Sequence, residues 1–185
     1  YHTRAVRPDG RPVASMRKGV PAMRIGAIAD THDNCVAVAA AVRYFEDQAV
    51  EQILHAGDFC APFALKRLLQ TRIPVDAVFG NCDGEREGLA KLLPSLSRGP
   101  RHLELGGQKL CLVHDRSRLS HENLEASDIV LFGHTHDPEV RREDGRLVVN
   151  PGECGGWLTG RCTVAVIDTE TLSADIEEIH EQPRG

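Results

Sequence analysis

The sequence predicts an α/β protein made of two packed sheets with helices outside. Three observations carry that expectation. The first half alternates short apolar runs with segments of helical spacing, the second half is mostly strand patterns, and glycine-containing turns divide those strands at hairpin intervals. In chain order, Ile25-Gly26-Ala27-Ile28-Ala29 reads as a short buried strand. Residues 34–47 are rich in alanine, with apolar residues at helical spacing, and Asp33 or Asn34 can cap that helix. Residues 52–55 form the next strand, 62–70 a helix with Pro62 at its start, and 75–79 a third strand. Residues 85–93 form a helix that Pro94 ends, with Asp83 as its cap. This β-α-β-α-β-α order implies a parallel sheet with helical crossovers. Further strands are expected at 102–105, 109–114, 129–132, 139–142, 147–150, 163–168 and 174–179, interrupted by a short helix near 120–126. Leu105-Gly106-Gly107-Gln108 and Glu143-Asp144-Gly145-Arg146 read as hairpin turns.

At 185 residues the chain is long enough for one well-buried domain, placed at 23–185. Residues 1–22 carry Arg4, Arg7, Arg11, Arg17 and Lys18 among prolines and show no hydrophobic period, so they are expected to form a disordered or loosely docked extension. A basic docking tail is the functional alternative. A net charge of -5 argues against nucleic acid as a stable partner. The apolar runs are too short to span a membrane, and no leader is expected. The cysteines Cys35, Cys60, Cys82, Cys111, Cys154 and Cys162 form no C-x-x-C pair. They are read as reduced thiols of a cytoplasmic protein, with Cys35, Cys111 and Cys162 in the core.

Several of the expected strands end in side chains that bind metals. The stretches are Asp30-Thr31-His32, His55-Ala56-Gly57-Asp58, Gly80-Asn81-Cys82-Asp83, His114 alone, and Gly133-His134-Thr135-His136. In extended backbone, residues two apart project to one side, so Asp30 with His32, and His134 with His136, can each present a pair. Ligands of parallel α/β sheets gather beyond the carboxyl ends of the strands, where Asp30, Asp58 and Asn81 sit. Mixed oxygen and nitrogen donors favour Mn, Fe, Zn, Ni or Co. Taken singly, each residue has a plainer role: Asp30 or Asp33 as a helix cap, His114 as a core or edge histidine, Arg86 as a solvated surface residue. Their occurrence together and in order weighs against those roles.

The ordered set resembles the calcineurin-like metallophosphoesterase family, in particular its small single-domain prokaryotic phosphodiesterases. The resemblance rests on D-T-H at 30–32, G-D at 57–58, G-N-C-D at 80–83, His114 after a strand, G-H-T-H at 133–136 and N-P-G at 150–152. It covers roughly residues 23–180 and implies a four-layer α/β/β/α sandwich of two mixed sheets flanked by helices. It also implies two divalent transition metal ions, manganese first. Asp30, His32 and His136 would hold one ion, Asn81, His114 and His134 the other, with Asp58 bridging. A bridging hydroxide would attack phosphorus, with Asn81 and His114 assisting at the reacting group. The family often has histidine where this chain has Cys82, so the thiol is the candidate for that catalytic position. It also often has glycine where this chain has Asp115.

Two divalent ions, two carboxylates and a hydroxide leave about +1 at the site, which a monoanionic diester neutralises. A small phosphodiester or nucleotide-like compound is therefore the expected substrate. The alternatives are a phosphomonoesterase or nucleotide phosphatase, and a non-enzymatic protein-binding scaffold of the same fold. A small homodimer is the assembly the resemblance implies. The loop at 152–160, with Trp157, is a candidate wall of the substrate site.

Overall fold

In the computed structural model the described residues are 20–180. Most of the basic extension expected at 1–22 therefore lies outside them. The chain runs β1 (Arg24–Ile28), α1 (Cys35–Asp47), β2 (Gln52–His55), α2 (Pro62–Leu68), β3 (Val75–Phe79), α3 (Arg86–Leu92), β4 (Ser97–Arg98), β5 (Arg101–Leu105) and β6 (Gln108–Leu112). A single 3₁₀ turn, Arg116–Arg118, and α4 (His121–Glu125) follow. The chain then continues through β7 (Ile129–Leu131), β8 (Glu139–Glu143), β9 (Arg146–Asn150), β10 (Thr163–Asp168) and β11 (Ser173–Glu178).

The strands form two mixed sheets, ordered β11-β10-β1-β2-β3-β4 and β5-β6-β7-β9-β8. In the first, β1, β2, β3 and β4 are parallel, as the crossover helices require, and β10 and β11 add antiparallel edges. Alternation along each strand sorts the side chains into layers. Ile25 and Ala27 of β1, Leu54 of β2 and Val78 of β3 face Leu110, Leu112, Ile129, Leu131, Leu147 and Val149 of the second sheet. The opposite face of the first sheet, with Ile28, Ile53 and Ala77, packs on α1, α2 and α3 through Val38, Phe45, Leu65, Leu68 and Leu89. On the outside of the second sheet, Val130 and Val148 meet Leu124 of α4. These are the four layers expected. Gly26 is needed for the helix contact, because a Cβ there would come within 2.9 Å of the Phe45 ring.

Both expected hairpins form. Gly106 and Gly107, and likewise Asp144 and Gly145, have positive φ, the left-handed pair that matches strand twist. Asn34, not Asp33, caps α1, its side chain accepting from Ala37 N. Asp33 instead accepts from Ala64 N of α2 at 3.3 Å. Asp83 does not cap α3. It is buried and accepts from Gly80 N at 2.7 Å and Cys60 N at 2.9 Å, pinning two strand-end loops together. The two-residue β4 was not expected, because its pattern is too short to register as a period. Cys111 is buried as expected, Cys35 and Cys162 are only half-buried, and Cys154 is the additional core thiol.

Candidate metal centre

The loops that follow β1, β2, β3, β6 and β7 converge at one end of the two sheets. Asp30 and Asp58 are buried beneath the site, and His114 is nearly so. The backbone there departs from the extended form expected of the paired residues. Asp30 (φ 50°), His32 (φ 40°), Asp58 (φ 62°), His134 (φ 72°) and His136 (φ 63°) are all left-handed. Non-glycine residues rarely adopt this region, and such strain clusters at functional sites. The consequence differs between the pairs. Asp30 and His32 still reach one cluster, but His134 and His136 diverge.

One cluster joins Asp30, His32 and His136. Asp30 Oδ1 lies 4.0 Å from His32 Nε2 and 3.7 Å from His136 Nε2, and the two rings stack with centroids 5.2 Å apart. A second group joins Asp30, Asp58 and His114. Asp30 is common to both groups, and a third joins His32, Asp58 and Cys82. Asp58 Oδ2 lies 3.9 Å from His32 Nε2 and 3.4 Å from His114 Nε2, so its carboxylate reaches a histidine on either side. Asn81 Oδ1 is 2.8 Å from His114 Nε2. His134 meets the His114 ring edge-on at 5.1 Å, and its backbone N–H donates to Asp30 Oδ2. Asn81 and His134 are the exposed members, at the mouth. Cys82 is also exposed; its N–H donates to Asp58 Oδ1 at 2.7 Å, and its sulfur accepts from Asn81 Nδ2 at 3.3 Å.

Electrostatics divides the two carboxylates. Burial pushes the Asp30 carboxyl up to about 6, against the pull of His114 and His136. Burial also works against the charge on Asp58, but hydrogen bonds and charge from His114 and the bond from Cys82 N–H outweigh it, holding Asp58 at about 2. For His114, burial opposes the charged form, and Asp58 overcomes it and raises the pKa. Burial lowers that of His32. Partial loss of solvent around the sulfur, with Asp58 next to it, pushes the Cys82 thiol up to about 11.

The cluster has atoms that require a partner. Asp30 Oδ1 and His32 Nε2 are buried with no hydrogen bond among the described residues. His114 Nδ1 lies 2.9 Å from Ala56 O and donates to it, so a metal taking the place of the Nε2 proton would find the Nε2 lone pair 2.8 Å from Asn81 Oδ1. A cation between them satisfies both. Carboxylate oxygens with imidazole nitrogens suit a divalent transition metal, so the residues fit such an ion.

A sequence profile of the calcineurin-like phosphoesterase superfamily domain matches residues 23–172. The chain belongs to this superfamily. A phosphodiesterase of Methanocaldococcus jannaschii is 35% identical over 156 residues, covering 80% of this chain and 94% of that protein. A probable metallophosphoesterase of Methanothermobacter thermautotrophicus is 35% identical over 167 residues, covering 83% and 91%. Among solved structures, an archaeal phosphodiesterase superposes with a TM-score of 0.74 at 32% identity, covering 85% of this chain and all of that one. The calcineurin-like fold thus accounts for two mixed sheets that deliver their strand-end loops to one place.

Reading single stretches missed Glu153. It is buried after β9, with Oε1 3.4 Å from His136 Nδ1, and it accepts the N–H groups of Trp157, Leu158 and Thr159. Trp157 in turn donates its indole N–H to His32 O at 3.1 Å while its ring stays exposed. The position of Glu153 directly after Asn150-Pro151-Gly152 was the available signal. Cys60 was missed as well; its sulfur is 3.1 Å from His32 Nδ1.

Proposed function

We propose that this calcineurin-like phosphoesterase is a two-metal phosphodiesterase. Asp30, His32 and His136 would hold one ion, Asn81, His114 and His134 the other, and Asp58 both. The single observation that carries the reading is that one carboxylate oxygen of Asp58 lies within 4 Å of both His32 and His114, histidines delivered by different sheets. Divalent ions there would polarise the phosphoryl oxygens and lower the pKa of water toward neutrality. Manganese is the ion proposed, in a cytoplasmic setting where the thiols stay reduced.

The chain's own contribution is placement. Ala56 O fixes the tautomer of His114, and Cys60 stands at the far nitrogen of His32, so both rings are oriented before substrate arrives. Asp58 stays ionised across the neutral range. The Asn81 amide and the His134 ring, exposed at the mouth, face an incoming phosphoryl group. A thiol is a weak hydrogen-bond donor, so Cys82 would give the leaving oxygen little help. With two carboxylates already beneath the centre, a monoanionic diester leaves less uncompensated charge than a dianionic monoester.

The test is metal analysis of the purified protein together with hydrolysis of bis(4-nitrophenyl) phosphate and 4-nitrophenyl phosphate across Mn, Ni, Fe, Zn and Co. Asp58→Asn and His136→Ala are expected to abolish diester hydrolysis and reduce bound metal while the far-UV circular dichroism is unchanged. A wild type that binds manganese and hydrolyses neither ester would instead favour a binding scaffold.

A further inference from the structure

Beside Asn81 and His114 lies a cavity of about 220 Å³ whose lining includes three arginines, Arg86, Arg98 and Arg118, and one acidic residue, Asp115. The arginines come from different elements: Arg86 opens α3, Arg98 lies on β4, and Arg118 closes the 3₁₀ turn after His114. Arg86 is not the solvated residue expected from sequence. It is half-buried and folded back, Nε donating to Asp83 O at 3.1 Å and Nη2 to Gly80 O at 3.2 Å, with the guanidinium 5.4 Å from the centroid of the Phe79 ring. Carbonyls are neutral, so these bonds fix its position without cancelling its charge. The Arg98 guanidinium has no hydrogen bond or ion pair among the described residues. Asp115 lies 3.7 Å from Arg118 and already accepts the Ser117 N–H at 2.9 Å. Three cations against one anion leave the cavity with an excess of +2.

We propose that this cavity is an anion subsite, which binds a second phosphate group carried on one ester arm of the diester. The inference rests on the phosphodiesterase reading above and narrows its substrate class. Planar guanidinium forks match phosphate geometry, and three arginines set around one cavity by separate elements suit a group with several acceptor oxygens. The volume is smaller than the roughly 300–1,000 Å³ that holds a whole small ligand, so it fits one arm of a substrate whose reacting phosphorus lies at Asn81 and His114. Arg98 and Arg118 are exposed at the rim, where added salt screens them.

The experiment compares thymidine 5'-(4-nitrophenyl phosphate) with its 3'-phosphorylated form, using the manganese-loaded full chain. Bis(4-nitrophenyl) phosphate and 4-nitrophenyl phosphate serve as references. The 3'-phosphate is expected to lower KM about tenfold. The double variant Arg98→Gln, Arg118→Gln should erase that advantage and leave kcat/KM on bis(4-nitrophenyl) phosphate unchanged. Equal KM for the thymidine pair in the wild type would overturn the subsite. So would an effect of the double variant confined to 4-nitrophenyl phosphate, which would make these arginines readers of the reacting phosphoryl group. Calorimetry with thymidine 3',5'-bisphosphate and thymidine 5'-monophosphate separates this idea from the one beneath it. Tighter bisphosphate binding that needs Arg98 and Arg118, in a protein that hydrolyses no diester, would keep the subsite and remove the phosphodiesterase reading. Equal binding of the two nucleotides would remove the subsite.

Discussion

In the proposed reaction, Cys82 would limit what the site can ask of a leaving group. Its thiol is pushed up to about 11 by partial loss of solvent around the sulfur and by Asp58, while its backbone N–H already serves Asp58. A thiol is a weak hydrogen-bond donor and would give little help to an alkoxide as it departs. Cys82→His would place an imidazole there. Among aryl diesters of rising leaving-group pKa, the variant is expected to gain most on the poorest leaving groups, on the order of 100-fold. The measurement is the slope of log kcat against leaving-group pKa, and an unchanged slope would show that position 82 does not face the leaving oxygen. That Asp30, His32, Asp58, Asn81, His114, His134 and His136 would gather at one place was legible because carboxylate, amide and imidazole at successive strand ends are chemically unusual. Their conformations were not legible. An extended strand end was the natural inference, but the tight turns at Asp30, Asp58 and His134 are set by backbone bonds to distant loops, such as Asp30 N to Gly57 O and His32 N to Asp58 O. No local pattern encodes such bonds.

Among the elements, the loop after β9 links metal-site geometry to the proposed substrate wall. Glu153 receives three backbone N–H groups from 157–159 and faces His136. Glu153→Gln keeps an acceptor oxygen but removes the charge beside His136. It is expected to weaken metal binding about 10- to 100-fold by competition with a chelator, as for other groups that orient metal-site histidines. Amide exchange at 157–159 should also quicken. The hairpin between β10 and β11 provides a control far from this chemistry. Asp168 accepts Glu170 N–H at 2.8 Å and Thr171 N–H at 2.9 Å, and these bonds hold its carboxyl below the usual range. A depressed folded pKa means the stabilisation is complete above the ordinary aspartate value of about 3.9 and fades as pH falls through the lower folded value. Asp168→Ala should therefore cost about 1 kcal/mol near neutrality, read from urea unfolding, with the difference shrinking only in strong acid. The β-α-β-α-β-α half was read with its strands almost at their observed limits, since period and turn chemistry agree there. The two-residue β4 was invisible for the opposite reason: it exists because β3 offers an edge at Val78 and Phe79, not because of its own residues.

At the scale of the whole molecule, the centre depends on the contact between the sheets. Asp30, Asp58 and Asn81 follow strands of the first sheet, while His114, His134 and His136 follow strands of the second. The two halves of the site are thus held in register by one apolar layer, in which Leu54 of β2 is fully buried among residues of both sheets. Leu54→Ala removes packing that the flanking strands cannot collapse to fill, at a cost of about 2–5 kcal/mol. The urea midpoint should fall with its slope unchanged, since the folded surface is the same. Both sheets should also lose structure together. Trp157 fluorescence follows the loop that carries Glu153, and amide exchange at Ile129–Leu131 follows a central strand of the second sheet. A shared core requires the two transitions to coincide in wild type and variant alike. Two separated transitions would show that the sheets fold as independent layers, and that the metal centre forms only at their docking.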